Sequence, residues 1–294
     1  MAQNDMDVVG LYSLGSSSPE GGNHLFVLEN GKFVITYFGG VQVGEWSLTS
    51  NTTILFTPDI KKNEFELYGR YNKNIGNTVR ISFEGFEEAS SFISLKKTKD
   101  DKHIMKKVFN ENANCFNYPY VKNFRSTTET ISFMVLKEEM ETLIYDFNTK
   151  GFNDFIAFFC KNEDEAYPFY ATFKHNRLYL DENGYSTKQQ LPKEGEDIDF
   201  IRRVASKNAS NKTILCNPSY HLFEGNINEN HIFDKEKGAY INPQCYIEGD
   251  EFMDKEEFFE NMEIIYEYEA LKISLSKYHE FRVDNTPIFI TNCQ

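Results

Sequence analysis

The stretch His24-Leu25-Phe26-Val27-Leu28-Glu29-Asn30-Gly31-Lys32-Phe33-Val34-Ile35-Thr36-Tyr37 decides how this chain is read. Two runs of strand-forming residues flank Asn30-Gly31, and Asn-Gly is the dipeptide that accepts the positive φ angles of a tight hairpin. In the second run Phe33, Ile35 and Tyr37 share one face, because successive side chains of a strand point to opposite sides. The stretch therefore predicts an antiparallel hairpin with one face to bury.

The pattern continues on both sides. Strands are expected at 8–14, 24–29, 32–38, 42–48, 52–57, 64–71, 78–84 and 90–96, separated by Pro19-Glu20-Gly21-Gly22, Gly39-Gly40 and Asn74-Ile75-Gly76. In the strand at 78–84 it is Val79, Ile81 and Phe83 that align. Short strands with one apolar face hide their edges by closing into a small barrel or by folding into a sandwich. Residues 97–125 are more polar and include Tyr118-Pro119-Tyr120, which predicts a connector. The expected organisation is an antiparallel β domain over 1–98, a connector over 99–127 and a second β-rich domain over 128–294.

In the second unit, strands are expected at 130–136, 141–147, 154–161, 168–173, 177–181, 264–268, 271–275 and 287–291, with Asp181-Glu182-Asn183-Gly184 as a turn. Two helices interrupt them. Ile198, Ile201, Val204 and Ala205 form a stripe across 197–207, and Phe258, Phe259 and Met262 form another after Asp254, with Glu257 placed for a capping box. The fold class is thus mainly β: an antiparallel meander forming a small barrel or sandwich, then a β-rich α+β unit with two short helices.

Composition agrees. The chain has 294 residues, enough for two domains, and its aromatic content of 15%, from 27 Phe and 17 Tyr, suits pleated, half-buried surfaces. A net charge of −14 opposes a phosphate backbone, so no nucleic-acid partner is expected. Lys96, Lys97, Lys99, Lys102, Lys106 and Lys107 are broken by Asp100 and Asp101 and read as a solvated connector. The longest apolar run, 155–160, is too short for a membrane span. Met1-Ala2-Gln3-Asn4-Asp5 lacks a leader's apolar region, yet Ala-Gln-Asn-Asp has the character of a chain start exposed by cleavage after a small residue. A secreted, periplasmic or cell-envelope protein with its signal peptide removed is the expectation, and a cytoplasmic one the alternative. The five cysteines, Cys115, Cys160, Cys216, Cys245 and Cys293, form no close pair. They read as small buried residues, with one or two disulfides left open.

Gly10-Leu11-Tyr12 at the first strand, Asn30-Gly31-Lys32-Phe33 at the hairpin and Gly44-Glu45-Trp46 before an apolar strand resemble small lipocalin-like barrel domains, over about residues 8–96. The resemblance implies a barrel whose interior holds a small apolar ligand. Tyr12 and Trp46 are the candidate ligand-binding residues; read from the residues alone, a lone Trp such as Trp46 on an apolar strand is usually a core plug.

No Gly-x-Ser-x-Gly elbow, phosphate loop, Gly-x-Gly-x-x-Gly or His-Glu-x-x-His occurs, and the six histidines stand singly. No catalytic residue, metal ligand or cofactor is nominated. Cys216 and His221, five apart around Pro218, have the residue types of a nucleophile and its base. Carboxylates at Glu163-Asp164-Glu165 and from Glu248 to Glu260 are too many to nominate a pair. Sequons stand at Asn51, Asn208 and Asn211.

The expected function is therefore a non-enzymatic, secreted or cell-envelope binding protein, its partner a small apolar ligand or a protein or glycan. One alternative is a hydrolase with a carboxylate or Cys216-based site in an inter-domain cleft. Another is an acidic, immunity-like cytosolic protein steered to a basic partner by its charge.

Overall fold

The computed structural model of the chain describes residues 8–15, 22–38, 40–59, 63–95, 103–125, 128–136, 142–160, 167–181, 184–206, 212–223, 227, 230–248, 262–277 and 281–293. Two compact units form, each discontinuous in sequence: Met1–Lys62 with Asn162–Ser210, and Asn63–Lys161 with Asn211–Gln294.

Along the chain the strands are β1 (Gly10–Gly15), β2 (Asn23–Val27), β3 (Lys32–Tyr37), β4 (Gly40–Leu48), β5 (Thr53–Pro58), β6 (Phe65–Arg70), β7 (Val79–Glu84) and β8 (Ser91–Ser94). Next come β9 (His103–Lys107), β10 (Val121–Phe124), β11 (Thr130–Val135), β12 (Leu143–Asn148), β13 (Asp154–Phe159), β14 (Phe169–Lys174), β15 (Arg177–Tyr179) and β16 (Ser186–Thr187). The helix α1 (Glu196–Ser206) precedes β17 (Thr213–Cys216), β18 (Ile232–Asp234), β19 (Ala239–Ile241), β20 (Ile264–Ala270), β21 (Ile273–Lys277) and β22 (Phe281–Asp284).

The first unit is an antiparallel sheet in the order β1-β2-β3-β4-β5-β14-β15-β16. It closes on itself almost completely: Leu11 and Gln189 exchange two backbone hydrogen bonds, of 3.0 and 2.9 Å, across the seam between the first strand and the last. At the Asn30-Gly31 turn only the glycine takes a positive φ, +77°, and Asn30 Oδ1 accepts from the Lys32 amide. Eight strands give an interior just wide enough for side chains to fill. Here Leu25, Val27, Phe33, Ile54, Phe56 and Phe173 are buried together, with Phe56 stacked on Phe169 at 4.9 Å.

Gly44 is required where it stands. A Cβ there would lie 2.4 Å from both the Phe33 ring and the Thr57 carbonyl oxygen. Strands β2 to β4 were expected to bury one face, but both are used. Val34 and Leu28 are covered on the outside by Ile198, Ile201 and Ala205 of α1, while Phe33 points into the barrel. Acidic Glu196, Asp197 and Asp199 occupy the first turn of α1 and Arg203 the last, as the helix dipole favours.

The second unit stacks two sheets, β10-β7-β13-β6-β20-β19-β18, with β17 on β20, and β21-β12-β11-β8-β9-β22. Val79, Ile81 and Phe83 meet Ile131, Phe133 and Phe147 in one core between them. Strand β13 is buried on both faces. Phe155, Ala157 and Phe159 enter that core, while Ile156 and Phe158 pack on the opposite side with Tyr68, Tyr266 and Tyr268. A disulfide joins Cys115 to Cys293; Cys160, Cys216 and Cys245 are not disulfide-bonded.

The mainly β expectation holds, and of the alternatives the first unit is a barrel. Three features differ. Strands β6, β7 and β8, grouped with the first five from sequence, pair in the sandwich, and the barrel is completed by β14 to β16. The supposed connector holds β9 and β10, and 287–291 forms no strand but a single bridge between Phe109 and Phe289. Two pairings are parallel, β13 with β7 and β22 with β9, so the sheets of the second unit are mixed while the barrel is antiparallel as expected. The second expected helix, the acidic run at 163–165 and lysines 96–102 lie outside the described residues.

Candidate functional site

The richest polar arrangement among the described residues lies on the outer face of the β7-β13-β6 strands in the second unit. In register, Asp154 stands between Arg80 on β7 and Arg70 on β6, and further along β13 Phe158 stands beside Glu84. Asp154 is buried and collects four donors. Tyr220 Oη lies 2.7 Å from its Oδ1; Arg70 at 2.7 Å, Asn72 Nδ2 at 2.9 Å and Tyr268 Oη at 3.3 Å reach its Oδ2. A buried carboxylate is tolerable only when satisfied in this way.

The surrounding groups are held in fixed protonation states. Burial opposes the charge on Arg70, but Tyr268 and Asp154 outweigh it and raise the guanidinium above its ordinary range, and the Tyr266 ring lies 3.7 Å beneath the guanidinium carbon. Burial, then the Asp154 charge, pushes the Tyr220 and Tyr268 phenols up, so both remain donors.

Tyr220 links this buried knot to an open cavity of about 230 Å³. The loop that carries it is set by Asn217, fully buried, whose Oδ1 accepts the amides of Ser219 and His221 at 3.0 and 2.9 Å. Tyr220 closes the turn with φ +66°, a left-handed conformation that costs a bulky residue about 1–2 kcal/mol. Tyr118, Phe158 and Tyr220 supply aromatic walls, Glu84 a carboxylate, and Ser219 and His221 polar edges, with Leu222 at the rim. Ser82 donates to Glu84 Oε1 at 3.0 Å. Burial nevertheless raises the Glu84 carboxyl, and the neighbouring Glu87 adds to the effect. The Tyr118 hydroxyl donates to Glu87 Oε1, while Glu87 Oε2 is buried with no hydrogen-bond partner.

Tyr12 and Trp46, the residues nominated from sequence, lie together elsewhere, in the barrel core. Each has its polar atom engaged by the main chain: Tyr12 Oη donates to the Val8 carbonyl at 2.6 Å and Trp46 Nε1 to the Leu28 carbonyl at 2.9 Å. Cys216 is fully buried and burial pushes its thiol up, opposite to what a thiolate nucleophile requires. Asp181 Oδ1 accepts the Gly184 amide at 3.0 Å, and the two residues between them lie outside the described residues. Among the described residues no three His, Cys, Asp or Glu side chains converge as a metal site would need. No helix there is long and apolar enough to cross a membrane.

Asp154, Arg70, Tyr220 and Glu84 were not singled out from sequence. A usable signal was present in Asp154-Phe155-Ile156-Ala157-Phe158-Phe159, where a carboxylate opens an otherwise apolar run. A charge on a strand buried on both faces must find partners.

Searches against protein-family models, curated proteins and solved structures find no match to this chain.

Proposed function

We propose that this is a non-enzymatic binding protein of the cell exterior or envelope that holds a small ligand in the cavity of its second unit. The observation that carries the reading is the cavity itself: aromatic walls, a few convergent polar groups, and one wall, Tyr220, locked to Asp154. Small-molecule sites have this make-up, and a wall fixed in advance reduces the ordering cost of binding.

The lipocalin-like resemblance would place an apolar ligand in the barrel, beside Tyr12 and Trp46. The barrel supports that resemblance in architecture, but its interior positions are occupied by packed side chains, so the cavity is the better candidate. The Cys216-based form of the hydrolase alternative is disfavoured by burial, which pushes that thiol up. The exterior location is supported by the Cys115–Cys293 disulfide.

A second reading has its own observation. On the outer barrel surface Tyr170 is 60% and Tyr185 54% exposed, and Arg177 lies 4.1 Å over the Tyr185 ring. Tyr and Arg are the residues that dominate interface energetics, so a protein or glycan partner is the alternative. Mass spectrometry of the protein from its native host, under native and denaturing conditions, separates the two. The ligand reading expects a discrete mass lost on denaturation; a bare chain in both conditions contradicts it and favours the surface.

A further inference from the structure

Among the described residues, no lysine or arginine acts on the carboxylate that faces the cavity. Its titratable neighbours are Glu87, whose charge raises the Glu84 carboxyl, and His221, which acts in the opposite direction. Beside it, Glu87 keeps one oxygen buried without a hydrogen-bond partner. In the same sheet Asp154 is matched by Arg70 and three further donors, so the fold does satisfy buried acids where structure alone requires it. What differs at Glu84 is the cavity it lines, together with Tyr118, Phe158 and Tyr220.

We propose that this cavity binds the alkylammonium group of a small ligand, with Glu84 as its counter-ion and the rings of Tyr118, Phe158 and Tyr220 as its walls. The inference rests on the binding reading above and specifies what is bound. An ammonium over aromatic rings is attracted by their quadrupoles, and the attraction grows when the site is desolvated. A carboxylate that is costly to ionise while the site is empty regains its charge when a cation enters. The volume of about 230 Å³ is several times the roughly 30 Å³ share of one water, enough for a branched ammonium head. The chain's charge of −14 adds long-range attraction for a cation. Tyr118 is tied to Glu87 by its hydroxyl and Tyr220 to Asp154, so two of the three walls are braced by acids. With both hydroxyls donated to these acids, the rings are what the two tyrosines have left to offer a ligand.

The test uses the full chain and three probes: choline, n-butylammonium and the neutral carbon isostere of choline. Saturation-transfer NMR reads contact with the protein, and titration gives the affinity. Choline or n-butylammonium is expected to bind, weakening with added salt, and the isostere to bind about tenfold less well or not at all. Glu84→Gln keeps the acceptor for Ser82 and removes the charge; it is expected to weaken ammonium binding about tenfold while leaving the isostere unchanged. Equal binding of isostere and choline, or unchanged binding in Glu84→Gln, overturns the proposal. So does the absence of binding by every probe. A co-purifying mass carrying neither an amine nor a quaternary ammonium nitrogen would overturn the ammonium assignment and leave the binding reading standing.

Discussion

Tyr220 Oη and Asp154 Oδ1 stand 2.7 Å apart, joining a residue that lines a cavity to a buried carboxylate on the outer face of β6, β7 and β13 that collects four donors. The bond does two things at once: it meets part of Asp154's demand for donors and holds the Tyr220 ring in position despite a strained backbone. Tyr220→Phe retains the ring and deletes the bond. A hydrogen bond to a charged group is worth about 1.5–3 kcal/mol, so urea unfolding should show a loss of that size. A loss near zero would mean that Asp154 is satisfied by its remaining partners.

Glu84 makes stability depend on pH. Its carboxyl is raised above the ordinary 4.5, first by burial and then by Glu87, so the folded state holds the proton more tightly than the unfolded state does. Stability contributed by this group is therefore greatest below the unfolded value and falls as pH rises through the window up to the folded one. Glu84→Gln removes that dependence. It should match the wild type near about pH 4 and exceed it near about pH 7, as measured by thermal unfolding at both. A stability difference that is the same at both pH values would contradict the shift.

The barrel register can be tested at Gly44. A methyl there meets both the Phe33 ring and the Thr57 carbonyl at 2.4 Å, and the second is main chain that cannot turn aside. Gly44→Ala is expected to cost about 1–3 kcal/mol or more in equilibrium unfolding. A neutral outcome would place a different residue opposite Phe33.

The disulfide gives a count. Five cysteines less the bonded two leave three, Cys160, Cys216 and Cys245. Alkylation of the denatured, unreduced protein should label three sites, and labelling of five would contradict the bridge. Closing a span of 178 residues, the bridge should stabilise the second unit by about 2–5 kcal/mol. Non-covalent anchors also hold this end, with Asn110 bonded to Asn292 at 2.8 Å and to the Thr291 amide, which favours the lower end of that range.

Local pattern revealed elements better than partners. The alternation of Val79, Ile81 and Phe83 and the glycine after Asn30 were readable because they depend on residues a few positions apart. That the chain would leave the barrel at Pro58 and complete it from Phe169 was not, because β5 and β14 pair across more than a hundred residues and no periodicity marks the choice. Strand β9 was hidden by its lysines: Lys107 looks solvated in sequence, yet it is buried and ends on Glu111 at 3.1 Å. Helix α1 was legible from its stripe, but not the second apolar face of β3 that it covers. The site was illegible for the same reason as the barrel. Glu84, Tyr118 and Tyr220 come from three separate segments, and the aromatic residues that first drew notice, Tyr12 and Trp46, are built into the barrel core.

The central claim, that the cavity holds a ligand, is tested most directly by carrying wild type and Leu222→Trp together through native and denaturing mass spectrometry after purification from the native host. Leu222 lines the cavity and is 37% exposed, so an indole there occludes the space with little effect on the core. The predicted result is a discrete mass on the wild type that is lost on denaturation and absent from the folded variant. A bare wild-type chain, or a ligand retained equally by Leu222→Trp, would contradict the claim.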